Sequence, residues 1–326
     1  MATYRAIKGL TIRTVDGDLS NVALGDIWYN KAISTRKMKV GNLSESWASG
    51  GNLNTARYKA AAAGASLTAA LNISGFTPSF LAIVEQYDGT SWTEIADINT
   101  ARDAGGASGT ITAAFITGGE DGPGGPGKLV ATEIWNGASW TEVNDLNNKR
   151  SNIVAAGTTT AGLAVGGSGP GYKDYSEEWN GTSWTEGNNL QAAAEAGCGD
   201  GTQTAAFYAG GNPAGRYASN ETYDVTYWTE VGDLNQGRSW AGAAGTTTAG
   251  IVFGGIDEPA PAYLTNTEAF NGTSWTEDND LSTARSQLSG DGSGTSSVAT
   301  GGTTGSTTDT TEEWVARANP ATVTAS

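Results

Sequence analysis

Between Ile98 and Glu142, apolar and polar positions alternate in short runs separated by Gly, Asn, Ser and Thr, the period-two pattern of half-buried strands. Ile98-Asn99-Thr100-Ala101-Arg102 leads into a small-residue strand over Asp103 to Ala107, with a turn expected at Ser108 to Thr110. Ile111 to Thr117 alternates and runs into Gly118-Gly119. A loop of different composition follows, Ala131 to Trp135 makes a third strand, and Asn136-Gly137 turns tightly into a fourth at Trp140.

The same pattern recurs along the chain. Trp92, Trp140, Trp184, Trp228 and Trp275 each open a W-T-E motif and Trp47 heads a degenerate copy, at spacings of 45, 48, 44, 44 and 47 residues. A period near 45 with four short strands per unit is that of a β-propeller blade and argues against helical solenoids. Glycine pairs close the second strands at Gly118-Gly119, Gly166-Gly167, Gly210-Gly211, Gly254-Gly255 and Gly301-Gly302, with Ser74-Gly75 in the first unit. The third strands end on Tyr87, Trp135, Trp179, Tyr223, Phe270 and Trp314.

These units resemble the kelch repeat, in which a double glycine closes the second strand, an aromatic follows Glu in the third and a Trp anchors the fourth. The resemblance covers residues 41 to 316 and implies an all-β, six-bladed kelch-like β-propeller; it implies little about activity, because propellers host many functions. The first three strands and the fourth are out of phase: Trp47 precedes any first strand, and nothing follows Trp314 as a fourth. The ring is therefore expected to close across the termini, with Lys39 to Ser49 as the outer strand of the last blade.

Charge divides the chain. The net charge is -16 overall, but residues 1 to 40 carry seven Lys/Arg against three Asp, and the other 286 carry 11 against 31. An acidic body argues against nucleic acid as partner, and the basic arm points to a second partner. No apolar run is long enough to span a bilayer and the start lacks the apolar core of a signal peptide, so neither membrane insertion nor export by that route is expected. Cys198, the one cysteine, reads as a small buried residue of an inner strand.

Residues 1 to 24 read as an extended arm, and Gly25 to Asn30 with Arg36 to Val40 as a hairpin. An arm followed by Gly25-Asp26-Ile27-Trp28-Tyr29-Asn30 and a basic strand resembles the N-terminal segment of virion proteins (tail, fibre or appendage) of tailed phages, particularly of marine bacteria. That resemblance implies a protein made in the host cytoplasm and carried on the virion, with residues 1 to 40 docked on other virion proteins. The anchor candidates are Arg5, Lys8, Arg13, Trp28 and Tyr29. The alternative is that arm and hairpin pack on the propeller's own edge. Residues 317 to 326 read as a frayed tail.

Candidate binding residues follow from comparing the two ends of the blades. One end carries near-identical short turns. The other carries loops that differ in length and content, and divergence there is where a binding function is expected. Tyr172, Tyr175, Tyr217 and Tyr263 lie in these loops beside acids and amides, a combination suited to sugar faces; packing of their own loops is the competing reading. At the same end an Asn-Thr-Ala-Arg-like element places Arg57, Arg102, Arg150, Arg238 and Arg285, with Ala194 in the fourth blade. They could ring an anion at the channel mouth. An Asp five residues before four of them (Asp97, Asp145, Asp233, Asp280) instead favours ion pairs.

The absence of histidine removes Ser-His-Asp and Cys-His catalysis, the copper site of oxidase propellers and the usual transition-metal ligands. No carboxylate pair is singled out for glycoside hydrolysis. We therefore expect a non-enzymatic protein without cofactor or metal, whose variable face binds a host surface or glycan. The alternative is a purely structural decoration, fibre or tail-assembly protein, and a glycan-cleaving enzyme comes third.

Overall fold

The computed structural model describes residues 13–15, 27–30, 35–122, 127–212, 217–257 and 262–324, with side chains in those segments from residue 46 to residue 315. Every regular element in it is a strand. Blade two shows the plan: Gly106–Thr110, Ala113–Thr117, Thr132–Trp135 and Trp140–Val143 pair antiparallel in that order from inner to outer edge. The inner strands of the six blades are Ala61–Ser66, Gly106–Thr110, Val154–Thr158, Cys198–Thr202, Gly242–Thr246 and Ser289–Ser293; each neighbours the next, and the last neighbours the first. The fold is thus an all-β, six-bladed propeller.

The first turn of blade two corrects the expectation from sequence. It lies at Ile111-Thr112, and the inner strand starts at Gly106. The cause is Ala104, whose φ of 53° is left-handed and holds Asp103 to Gly105 out of the ladder. One such residue occurs in every blade: Lys59, Ala104, Asn152, Ala196, Trp240 and Gln287, with φ between 53° and 58°. Their backbones form a circle of hydrogen bonds. Ala104 N donates to Lys59 O, Asn152 N to Ala104 O, Ala196 N to Asn152 O, Trp240 N to Ala196 O, Gln287 N to Trp240 O, and Lys59 N to Gln287 O.

A second circle runs through the glycine pairs. Gly119 N donates 3.0 Å to Arg150 O of the next blade, and the equivalent bond recurs at all six junctions, from Gly302 to Arg57 at the last. Both glycines of this pair have positive φ, and a Cβ on Gly118 would sit 2.7 Å from Arg150 O, so the residue type is set by how closely the blades approach.

Between blades the outer aromatics fill the gaps. Trp135 and Trp140 pack with Leu71 and Ile73 of blade one, and Phe270 and Trp275 with Phe207 and Cys198 of blade four. Cys198 is buried as expected, and burial pushes its thiol up to about 12. The indole Nε1 of Trp92 donates to Thr311 Oγ1 and that of Trp184 to Thr132 Oγ1, each at the start of the preceding blade's third strand. Trp47 makes the corresponding bond to Thr267 Oγ1 at 2.8 Å and packs edge-on against Phe253, 4.7 Å between centroids.

By contacts the chain divides into residues 47–315, the propeller, and residues 1–46 with 316–326. In the second unit Arg13–Val15 pairs parallel to Ile27–Asn30, which pairs antiparallel with the Thr35–Ser49 strand, Trp28 opposite Lys37. The tail is not frayed as expected: Thr311–Thr324 is one strand, beside Thr35–Ser49 in the sheet order. Pairing with a neighbouring strand holds it extended through Pro320. The anchor candidates Arg5 and Lys8 lie outside the described residues, and the side chains of Arg13, Trp28 and Tyr29 do too.

The turns opposite the variable loops are fixed by side chains. Asn136 Oδ1 accepts from the backbone of Ala138 and Ser139, and Asp88 Oδ1 from Thr90 and Ser91, so Asp88 serves its own turn and its carboxyl is held below the usual range by those bonds. Four of these turns have Gly next, at φ of about 90°; blade four has Val225 at 78°.

Two outcomes follow. Replacing Val225 with Gly is expected to stabilise the protein by about 1 kcal/mol, since a β-branched residue at positive φ costs about 1–3 kcal/mol and glycine's lost entropy returns part of it. A thermal melt showing Val225→Gly below the wild type would contradict this. Trp47→Ala is expected to cost about 3 kcal/mol, the lower end for a large aromatic, because Trp47 is half-buried. An unchanged denaturant midpoint would show that the ring does not depend on this strand.

Candidate functional site

The five arginines are the most completely buried cations among the described residues of the propeller, each 0% exposed. In blade two, Arg102 Nη2 donates to Glu133 Oε1 at 2.5 Å, Nη1 to the carbonyls of Gly118 and Ala131, and Nε to Thr100 O. Glu133 in turn accepts from Asn99 N and Nδ2 on Oε2 and from Thr100 N on Oε1. The Asn-Thr-Ala-Arg element is therefore a clip that locks the approach to the inner strand onto the third strand of the same blade. Asn99 Nδ2 also reaches Trp140 O on the fourth.

The partners are Glu85, Glu133, Glu177, Glu268 and Glu312, and this corrects the expected pairing. Asp97, Asp145, Asp233 and Asp280 are exposed. Nor do the arginines form an anion ring, because they are fully buried and their Nη donors are committed inside the blades. Burial lowers the Arg285 guanidinium to about 10 against the pull of Glu312, so it stays charged at neutral pH. In blade four, where Ala194 replaces Arg, Gln191 N reaches Glu221 Oε2 at 2.9 Å and its Nε2 reaches Trp228 O. The signal in the sequence was a Glu two residues before every third-strand aromatic.

The four tyrosines stand on three separate loops. Tyr172 ends a small hairpin and is 44% exposed, and Tyr263 is 38% exposed. Tyr175 is half-buried under Lys173, whose Nζ lies 5.4 Å from the ring centroid, and its carbonyl accepts from Arg150 Nη1. Tyr217 is half-buried and its carbonyl accepts from Arg238 N. Tyr172 and Tyr263 are thus free to meet a ligand, while Tyr175 and Tyr217 also hold their loops.

Sequence reasoning put the arginines at the channel mouth at the centre of this face and missed the residues that line it. The six left-handed residues surround it, and they differ from blade to blade: Lys, Ala, Asn, Ala, Trp and Gln. Lys59 Nζ lies 5.2 Å from the Trp240 ring centroid and within 3.9 Å of both Asp103 and Glu120. Asn152 Nδ2 donates to Glu195 Oε2. The opening itself measures about 110 Å³, room for about three or four waters at ~30 Å³ each and too small for a larger ligand. Deeper, the wall is Ala62, Ala107, Ala155, Gly199, Ala243 and Gly290, so the channel offers little chemistry of its own.

Two inner strands carry carboxyls, Asp291 buried and Asp200 half-buried, where the other blades have Ala or Ser. Burial pushes Asp200 up to about 7, against bonds from Gly201 N and Gly245 N. Asp291 is raised further by burial and by Asp200, and its Oδ2 has no partner among the described residues. With folded-state values above the unfolded ones, both contribute stability that is complete below the ordinary carboxylate range and is lost as pH rises. For Asp200 the window is about pH 4 to 7. The melting temperature is expected to fall across it, and Asp291→Asn to raise the melting temperature at pH 8 while leaving it nearly unchanged at pH 4. A flat wild-type profile, or equal effects at both pH values, would contradict this.

No family model matches the chain, and neither does any curated protein.

Proposed function

We propose that this protein is a non-catalytic, kelch-like binding propeller of a phage virion, docked through residues 1 to 40 on other virion proteins and presenting its variable loops to a host-surface glycan or receptor. One observation carries the binding part. The turns at one end are tied down by their own side chains, whereas the loop end gathers exposed Tyr172 and Tyr263, the Lys59–Trp240 pair and buried oxygens of Asp103 and Asn152 that accept no hydrogen bond among the described residues. The virion setting is supported by the Gly25-Asp26-Ile27-Trp28-Tyr29-Asn30 motif and the charge contrast between arm and body. In the same reading the N-terminal strand closes the last blade around Trp47.

The structural alternative draws on the opposite end. There Val225 and Tyr227 are 50% and 64% exposed in a strained turn, a small apolar surface suited to another protein. Binding of the labelled full chain to bacterial cells and a panel of surface polysaccharides separates the two readings. The binding role predicts saturable binding, weakened at least tenfold when Tyr172, Tyr175, Tyr217 and Tyr263 are changed to Ala in a protein that melts normally. Absence of binding by a folded wild type would favour the structural role.

A further inference from the structure

A cleft of about 550 Å³ opens on the loop face between blades one and two, within the range of about 300–1,000 Å³ typical of small-molecule sites. One wall is apolar: Tyr58, Phe76, Pro78 and Phe80, with Phe76 5.5 Å from Tyr58 and 5.1 Å, edge-on, from Phe80 between ring centroids. The polar part of the lining is Asp103 and Glu120, with Lys59 beside both.

The polar groups are incompletely satisfied. Lys59 Nζ is 3.9 Å from Asp103 Oδ2 and 3.8 Å from Glu120 Oε1, too long for strong hydrogen bonds. Asp103 is 3% exposed, yet its Oδ1 accepts no hydrogen bond among the described residues. A buried oxygen in this state is destabilising unless a donor reaches it. The fold does not require an acid there: the residue after the clip arginine is Ser151, Ser239 and Ser286 in blades three, five and six.

Charge decides what fits. A cationic ligand would meet Lys59, and an anionic one two carboxylates. A neutral molecule whose hydroxyls both donate and accept meets neither conflict, and an apolar C–H face would lie on the aromatic wall. We propose that the cleft between blades one and two binds a neutral sugar residue, with hydroxyls donating to the Asp103 and Glu120 carboxylates, a neighbouring oxygen accepting from Lys59 Nζ, and the ring face stacked on Phe76 and Phe80. This assigns a ligand class to the binding face proposed above, at a place separate from the four tyrosines.

Calorimetric titration of the full chain tests it, using glucose, galactose, mannose, fucose, N-acetylglucosamine and N-acetylgalactosamine, with glucosamine and glucuronate as cationic and anionic counterparts. At least one neutral sugar is expected to bind saturably and both charged ones at least tenfold more weakly. Asp103→Ser and Phe80→Ala are each expected to weaken binding at least tenfold. Ser79→Trp, at an exposed position on the rim, is expected to block it with the melting temperature unchanged. Absence of binding by every neutral sugar, equal binding of a charged counterpart, or binding indifferent to Ser79→Trp and Phe80→Ala would overturn the proposal. Polysaccharide binding lost in the tyrosine variant but kept in the cleft variants would overturn the cleft alone and leave the binding face standing.

Discussion

The buried arginine–glutamate clip is the interaction on which the rest of the propeller depends. Its guanidinium ties the approach to the inner strand to the third strand of the same blade, while the arginine's own carbonyl accepts from the glycine pair of the blade before. One residue thus fixes strand order within a blade and spacing between blades. A buried pair of this kind gives little net stability over an apolar replacement, but removing one partner costs about 3–5 kcal/mol, because the other charge is left in the interior. Five such pairs therefore make the arrangement specific more than they make it strong. Stability comes from the aromatic cores between blades.

Two backbone circles explain where the chain is free to vary. The left-handed residue two positions after the clip closes one circle with its amide and carbonyl, so its side chain is not needed for the fold and points to the channel mouth region that Lys59, Asn152, Trp240 and Gln287 line. The glycine pair closes the other with less freedom, since a Cβ on its first residue would meet backbone of the next blade and one on its second backbone of its own; blade one alone has another residue there, Ser74. Uniform positions and divergent ones alternate within a few residues, and the divergent ones face a single end of the ring.

Much of this was legible in the sequence. Tryptophan spacing, glycine pairs and third-strand aromatics are local features, and they gave the blade count and the strand order. The clip's partner was misread because proximity in sequence pointed to Asp97 and its equivalents, whereas the glutamate lies some 30 residues away, across the blade. The inner-strand start was misread because Ala104 is an ordinary strand residue by type and is left-handed only through the circle it joins. The cleft was out of reach for a related reason: its aromatic wall belongs to blade one and its acids to blade two, and no single repeat contains both.

The charges of this molecule sort themselves by how well they are satisfied. Clip arginines and glutamates are held by several bonds at 2.5 to 3.2 Å in blade two, every one of them to groups of the same blade. Lys59 comes from blade one and Asp103 and Glu120 from blade two, and the ammonium comes no closer than 3.8 Å to either carboxylate. Burial raises the Asp103 carboxyl to about 7, with Lys59 only partly opposing it. A fold under no other demand would place serine there, as it does in three other blades. An acid kept in a costly position, against an aromatic wall and beside a cation that does not complete its hydrogen bonds, is positioned for a group that arrives from outside.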